Sequence, residues 1–200
     1  MKKTMNFSSI ISNQALPIAF DTSIIVNMQA CTFGKQIIAA VPNPIIIAQI
    51  AADELKPGTV ARAFLDDLVT SDLVQLSDLT DPEYLEYESL ITSLDDGESA
   101  TIALSITRQF FPFVDERKGR AKATERQAML DPGWSLDLLR HPDVVAALGS
   151  PSDVDAVYLA LKEGRMRIPE SRVSDVISLI GTQRASECVS LPNYKKLFPK

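Results

Sequence analysis

The sequence predicts an α/β domain in which a parallel sheet is covered on both faces by helices. Two patterns carry the prediction: short apolar runs, each followed by a segment of helical period, recur through roughly the first 130 residues, and from Ser135 the pattern becomes helical with short turns. Composition agrees, because 200 residues of which 46% are hydrophobic and 23% charged can bury one sizeable core and are too apolar for a disordered chain.

Residues 16–20 (LPIAF) form an apolar run that stops at Asp21 and predict a strand; beyond it Ile24, Ile25, Met28 and Cys31 recur at helical spacing. After a turn around Gly34, Pro42 and Pro44 interrupt a second apolar block. The expectation here is a strand over residues 37–41, then a helix that starts at Asn43, ends near Leu55 and is stopped by Lys56-Pro57-Gly58. Residues 59–70 have the apolar spacing of an amphipathic helix, with Val60, Phe64, Leu65, Leu68 and Val69 on one side. LVQLSDL reads as a strand, and Asp81-Pro82 opens a helix, Pro82 standing where a missing N–H costs nothing. Residues 94–108 predict a helix with an aspartate cap, burying Ile102, Ala103 and Ile106. FFPFV up to Asp115 predicts a buried strand, and ERKGRAKATERQAML a charged helix. Three further helical segments follow, SLDLLRHPDVVAALG, SDVDAVYLALKEGRM and PESRVSDVISLIG, then an irregular tail from Ser190.

The formal charge of −6 and the pI near 4.9 work against nucleic-acid binding, which draws on lysine and arginine. A bound cation and the cluster Arg117, Lys118, Arg120, Lys122 and Arg126 would offset that repulsion locally. No stretch approaches the roughly 20 apolar residues of a bilayer span, and the start lacks the apolar core and cleavage site of a secretory signal. Cys31 and Cys188 have no metal-type spacing, so neither a disulfide framework nor a zinc site is expected, and a reducing cytoplasm fits.

In an open parallel sheet, ligands bind beyond the carboxyl ends of the strands. Asp21 and Asp115 both follow apolar strands directly, and carboxylates gathered there would be desolvated and mutually repelled unless a cation neutralised them. Magnesium needs only oxygen ligands, so no histidine is required. His141, before a proline, is expected as a surface helix cap, and Trp134 as a packing anchor. Taken singly, each acidic residue has a plain alternative. Asp21 can be an N-cap, Glu98 the fourth residue of a capping box with Asp95, and Glu54 a solvated residue at a helix end.

FDTSIIV, IIIAQIAADEL, LDDGESATIALSI and PFVDERKGRAKA stand in the order and at about the spacing of the PIN-domain family, which the chain resembles over roughly residues 16–165. The resemblance implies a three-layer α/β/α sandwich with a central parallel sheet and additional C-terminal helices. Its domain plan is an N-terminal extension (1–15), a nuclease domain (16–165) and a C-terminal helix and tail packed on it (166–200). It implies Asp21, Glu54, Glu98 and Asp115 as catalytic and metal-binding carboxylates for Mg2+ or Mn2+, with Ser23 and Glu116 supporting them. Arg117 and Arg120 are candidate phosphate contacts, or partners of Glu116 and the cluster. Lys118 stands where many relatives carry a further acid, which weighs against a second tightly held metal.

The activity so implied is a metal-dependent endoribonuclease whose hydrolysis leaves a 5′-phosphate and a 3′-hydroxyl. The toxin half of a toxin–antitoxin pair is the leading role, with RNA processing or decay beside it. A non-catalytic module that has lost metal-dependent cleavage is the alternative, and an aspartyl phosphatase ranks last because Ser23 stands where a second aspartate is usual. Candidate partners are an RNA substrate, an antitoxin protein and a second copy in a homodimer, with no membrane.

Overall fold

A computed structural model describes residues 10–12, 14–126 and 131–199. Its sheet is built from runs too apolar to face water on either side. β1 (Ile18–Phe20), β2 (Ile45–Ala48) and β4 (Phe111–Phe113) are buried at every position, and β3 (Gln75–Ser77) forms a more exposed edge. All pairings are parallel, in the order β3-β2-β1-β4. Pro112 is tolerated in β4 because it lies on the last strand. Phe111 N–H donates to Pro17 O on the β1 side, which turns the position of the missing Pro112 donor outward.

Helices cover both faces of the sheet, as the alternating pattern predicts. After β1 come α1 (Thr22–Ala30) and α2 (Gly34–Ala40); after β2, α3 (Gln49–Glu54) and α4 (Val60–Thr70). Between β3 and β4 lie α5 (Asp81–Leu90) and α6 (Asp96–Arg108), the latter buried from Gly97 to Ser105. α7 (Arg117–Arg126) leaves β4, and the last four residues of its predicted segment, 127–130, lie outside the described residues. The helical remainder comprises α8 (Ser135–Leu139), α9 (Pro142–Leu148), α10 (Ser152–Lys162), a 3-10 turn (Glu170–Arg172), α11 (Val173–Ile180), α12 (Thr182–Ala185) and α13 (Tyr194–Leu197). Met166, Ile168, Val176, Ile180, Cys188 and Leu191 enter the same hydrophobic core as the sheet. Both cysteines are free and buried. Among the described residues no single helix is long and apolar enough to cross a membrane.

Three expectations are corrected. Residues 37–41 are not a strand; they fall in and just after α2, and β2 is the IIIA run expected to be helical. The burial of Gly34, Ile37, Ile38 and Val41, with Lys35, Gln36 and Ala39 exposed, has the helical period, whereas β2 is buried on both faces and so has no period. Val41 and Asn43 both precede prolines and are therefore biased toward extended backbone. Asn43 caps no helix: its Nδ2 donates to Gln14 O and Leu16 O, both at 2.9 Å, and ties the β2 approach to the β1 approach. His141 does cap α9, accepting from Asp143 N–H at 3.2 Å, but it is buried, and burial lowers its pKa. The tail from Ser190 is not wholly irregular, since α13 forms there and brings the Tyr194 and Phe198 rings to 5.4 Å.

α1, α2 and α4 meet at Gly34, where an added Cβ would fall against the Met28 carbonyl and 2.7 Å from Phe64 Cζ. Gly34→Ala is expected to destabilise the fold by about 1–3 kcal/mol, because a backbone carbonyl cannot give way as a side chain can. Urea denaturation checks this through a lower midpoint at unchanged slope.

Candidate active site

The sheet order reverses direction between β2 and β4 on either side of β1, so a crevice opens beyond the carboxyl ends of β1 and β4. Register decides what enters it. Phe20 pairs with Phe113, and Asp21 N–H donates to Phe113 O at 3.1 Å, so Asp21 and Asp115 emerge side by side. The cleft, of about 400 Å³, is lined among others by Asp21, Ser23, Asn27, Asp95, Glu98 and Asp115.

Asp21 both caps α1 and lines the cleft. Its Oδ2 accepts from Ser23 N–H at 3.2 Å and Ser23 Oγ–H at 2.5 Å. Its Oδ1 has no hydrogen-bond partner among the described residues. Asp115 is held more tightly: Oδ1 accepts from Ser135 N–H at 2.8 Å, and Oδ2 accepts from Ser135 Oγ–H and Asn27 Nδ2, each at 2.7 Å. Glu98 is not a completed capping box. Asp95 accepts from Glu98 N–H at 2.8 Å, but the Glu98 carboxylate does not return the bond, and its buried Oε1 has no partner. Gly119 leaves room for it, since a Cβ there would stand 2.7 Å from that oxygen.

Glu54 is exposed, with Oε1 accepting from Gly97 N–H at 2.6 Å and Oε2 from Thr22 Oγ1–H at 3.2 Å. It straps the end of α3 to the starts of α6 and α1. A Cβ on Gly97 would fall on its carboxylate, which gives the Gly-Glu phrase a steric meaning: the glycine admits Glu54 and the glutamate reaches the cleft. Glu116 lines the cleft but pairs with Arg167 at 2.5 Å.

The two candidate phosphate contacts are not brought into the cleft. Arg117 is exposed and does not line it. Arg120 donates to Val114 O, Gly133 O and Pro132 O at 2.9, 2.8 and 2.5 Å and stacks 3.7 Å over Trp134, so its charge is spent on packing the β4 exit; burial lowers its pKa to about 10. Trp134 is thereby a packing anchor, as expected. Sequence reasoning missed Asn27, Ser135, Arg165 and Arg167 and read Asp95 only as a helix cap. Asn27 alone left a signal, a polar residue on the apolar stripe of α1; the rest arrive from later in the chain.

Burial dominates the electrostatics. It raises the pKa of Asp21 to about 6, of Asp115 to about 7 and of Glu98 to about 8, and Glu98 also feels Asp95, Asp21, Glu116 and Glu54. Glu54 is raised too, first by desolvation. An all-oxygen donor set with an orphaned buried carboxylate oxygen has the chemistry of a hard divalent-cation site. Among the described residues no three Asp, Glu, His or Cys side chains form a ready-made ligand group, so ligation requires carboxylates to turn.

A carboxylate whose folded pKa lies above its unfolded value favours folding while protonated, and that contribution is lost as pH rises through the folded pKa. In chelator, thermal stability is therefore expected to fall between about pH 4 and pH 8, across the raised values of the three acids. Asp21→Asn should raise the melting temperature at pH 8 and flatten the profile. Added Mn2+ should restore the wild type more than the variant, as read by scanning fluorimetry.

No curated protein and no solved structure matches the chain significantly. A family model described as a PIN domain matches residues 17–182, from the start of β1 into α12. PIN domains are generally nucleases and typically use divalent metals. With an all-parallel four-stranded sheet between helices and acidic residues at the carboxyl ends of its strands, the chain belongs to the PIN-domain family.

Proposed function

We propose that this protein is a metal-dependent endoribonuclease that hydrolyses phosphodiester bonds in the cleft beyond β1 and β4. One observation carries the reading. Asp21 and Asp115 lie buried side by side with Glu98, each raised in pKa by desolvation, with the Glu98 Oε1 unpartnered. Such a cluster opposes folding at neutral pH and is the arrangement a cation would relieve.

Asp21 and Asp115 would hold Mg2+ or Mn2+, which when bound supplies Lewis-acid polarisation of the phosphodiester and acidifies a water. Ser23 fixes Asp21 through one oxygen and leaves the other available. Asn27 and Ser135 set the plane of the Asp115 carboxylate. Glu98, the carboxylate without a hydrogen-bond partner on Oε1, accepts the proton of the attacking water, while Glu54, exposed and bonded to Gly97 N–H and Thr22 Oγ1–H, straps α3 to α6 and α1. Water as nucleophile leaves a 5′-phosphate and a 3′-hydroxyl.

The competing reading is a non-catalytic module, and a specific observation favours it: both Asp115 oxygens are already engaged and no ligand triad is preformed among the described residues. Within the nuclease reading we propose the toxin half of a toxin–antitoxin pair. The exposed Tyr84, Leu85 and Ile91 along α5 and just beyond it support a protein-binding surface there.

Purified protein with Mn2+ is expected to cut single-stranded RNA to 5′-phosphate products. Asp21→Asn and Asp115→Asn should abolish cleavage, and Asn27→Ala should slow it about 10–100-fold by loosening Asp115. A folded wild type with no cleavage in Mn2+ or Mg2+ would establish the non-catalytic reading instead. Induced expression is expected to arrest growth for the wild type and not for Asp21→Asn, as growth curves would record.

A further inference from the structure

The turn that leaves α10 brings two arginines to the acidic cleft. Arg165 and Arg167 line it beside Asp21, Glu98, Asp115 and Glu116. The segment alternates: Met166 and Ile168 are buried in the core, whereas Arg165 and Arg167 are exposed. Two buried anchors thus hold two guanidinium-bearing residues on the cleft side. The turn is also docked on the site itself. A Cβ at Gly164 would stand 2.9 Å from Asn27 Oδ1, and Asn27 holds Asp115. Met166 N–H donates to Ala160 O at 2.9 Å and closes the turn.

Backbone conformation adds an independent observation. Arg165 has φ 56, the left-handed region that a Cβ disfavours and glycine adopts freely. A strained arginine facing an acidic cleft, with no hydrogen-bond or ion-pair partner among the described residues, is poorly explained by stability. Among the described residues Arg167 has one partner, Glu116 Oε2 at 2.5 Å. A chain of formal charge −6 must draw its cations for a polyanion from a local source, and Arg120 is consumed by carbonyls.

We propose that Arg165 and Arg167 grip the RNA phosphates that flank the scissile bond, Arg165 as a standing contact and Arg167 by exchanging Glu116 for phosphate. The inference rests on the ribonuclease reading above. A guanidinium fork matches two phosphate oxygens, and the pair supplies on the cleft rim the positive charge that the carboxylates below would otherwise repel.

The test measures binding of a short fluorescein-labelled single-stranded RNA by anisotropy across a salt series, in the full-length Asp21→Asn protein so that RNA is not consumed. Arg165→Gly is expected to weaken binding about tenfold and to reduce the slope of log affinity against log salt by about 0.7, the loss of one phosphate contact. Its melting temperature should equal or exceed the parent's, because glycine relieves the left-handed backbone. Arg165→Lys should keep the slope, and Arg167→Ala should lower it as Arg165→Gly does. If Arg165→Gly binds with the parent's affinity and slope while the wild type cleaves RNA, the proposal is overturned and the nuclease reading survives. If Arg165→Gly melts markedly lower, Arg165 is structural and the proposal is likewise overturned. If the parent binds no RNA and the wild type cleaves none, the nuclease reading falls and takes this inference with it.

Discussion

The Asp21 N–H bonds to the Phe113 carbonyl at 3.1 Å, and this bond closes the β1–β4 ladder where the sheet changes its direction of growth. The rest of the site depends on it. Parallel pairing makes both strands end at the same rim, and the Phe20–Phe113 register sets Asp21 beside the chain that carries Asp115. A slip of one residue would turn one carboxylate toward the opposite face of the sheet. The packed rings of Phe20 and Phe113, 5.6 Å apart under the site, hold that register from below.

Above the register, the carboxylates are shaped by close approach rather than by partners of opposite charge. Gly97 and Gly119 are the two places where a side chain would collide with Glu54 and Glu98, and each lies within one of the motifs. Neutral donors do most of the holding: Ser23 on Asp21, Asn27 and Ser135 on Asp115, Gly97 N–H on Glu54. Neutral donors orient a carboxylate without cancelling its charge, so the desolvation cost stays in the folded state as raised pKa values. A site built this way keeps its electrostatic demand for whatever cation it meets.

Positive charge is distributed by the same logic. Arg120 lies only five residues after Asp115, yet its guanidinium is turned into carbonyls and the Trp134 ring, where it knits the β4 exit to residues 132–134. The cations at the cleft come instead from the turn after α10, fifty residues beyond Asp115 in the chain. The C-terminal helices therefore do more than close the core: α8 supplies Ser135 to orient Asp115, and the α10 turn supplies Arg165 and Arg167.

Local chemistry in the sequence determined a good deal of this. Apolar runs ending in Asp21 and Asp115 marked β1 and β4 because a strand buried on both faces must be continuously apolar. Amphipathic spacing marked α4, and the cap at Asp95 marked α6 because orphan N–H groups need a side-chain acceptor. The family was legible in four acidic phrases in order. Tertiary structure decided the rest. Residues 37–41 and 45–48 are both short apolar runs, and only the requirement that one of them pair with β1 assigned strand to the second. Whether Glu98 caps its helix or faces the cleft, whether Arg120 meets substrate or carbonyls, and which arginines stand over the acids all depend on groups distant in sequence. Such contacts have no period and no local propensity, so they exist only once the sheet order and the packing of α8 and α10 have brought those groups together.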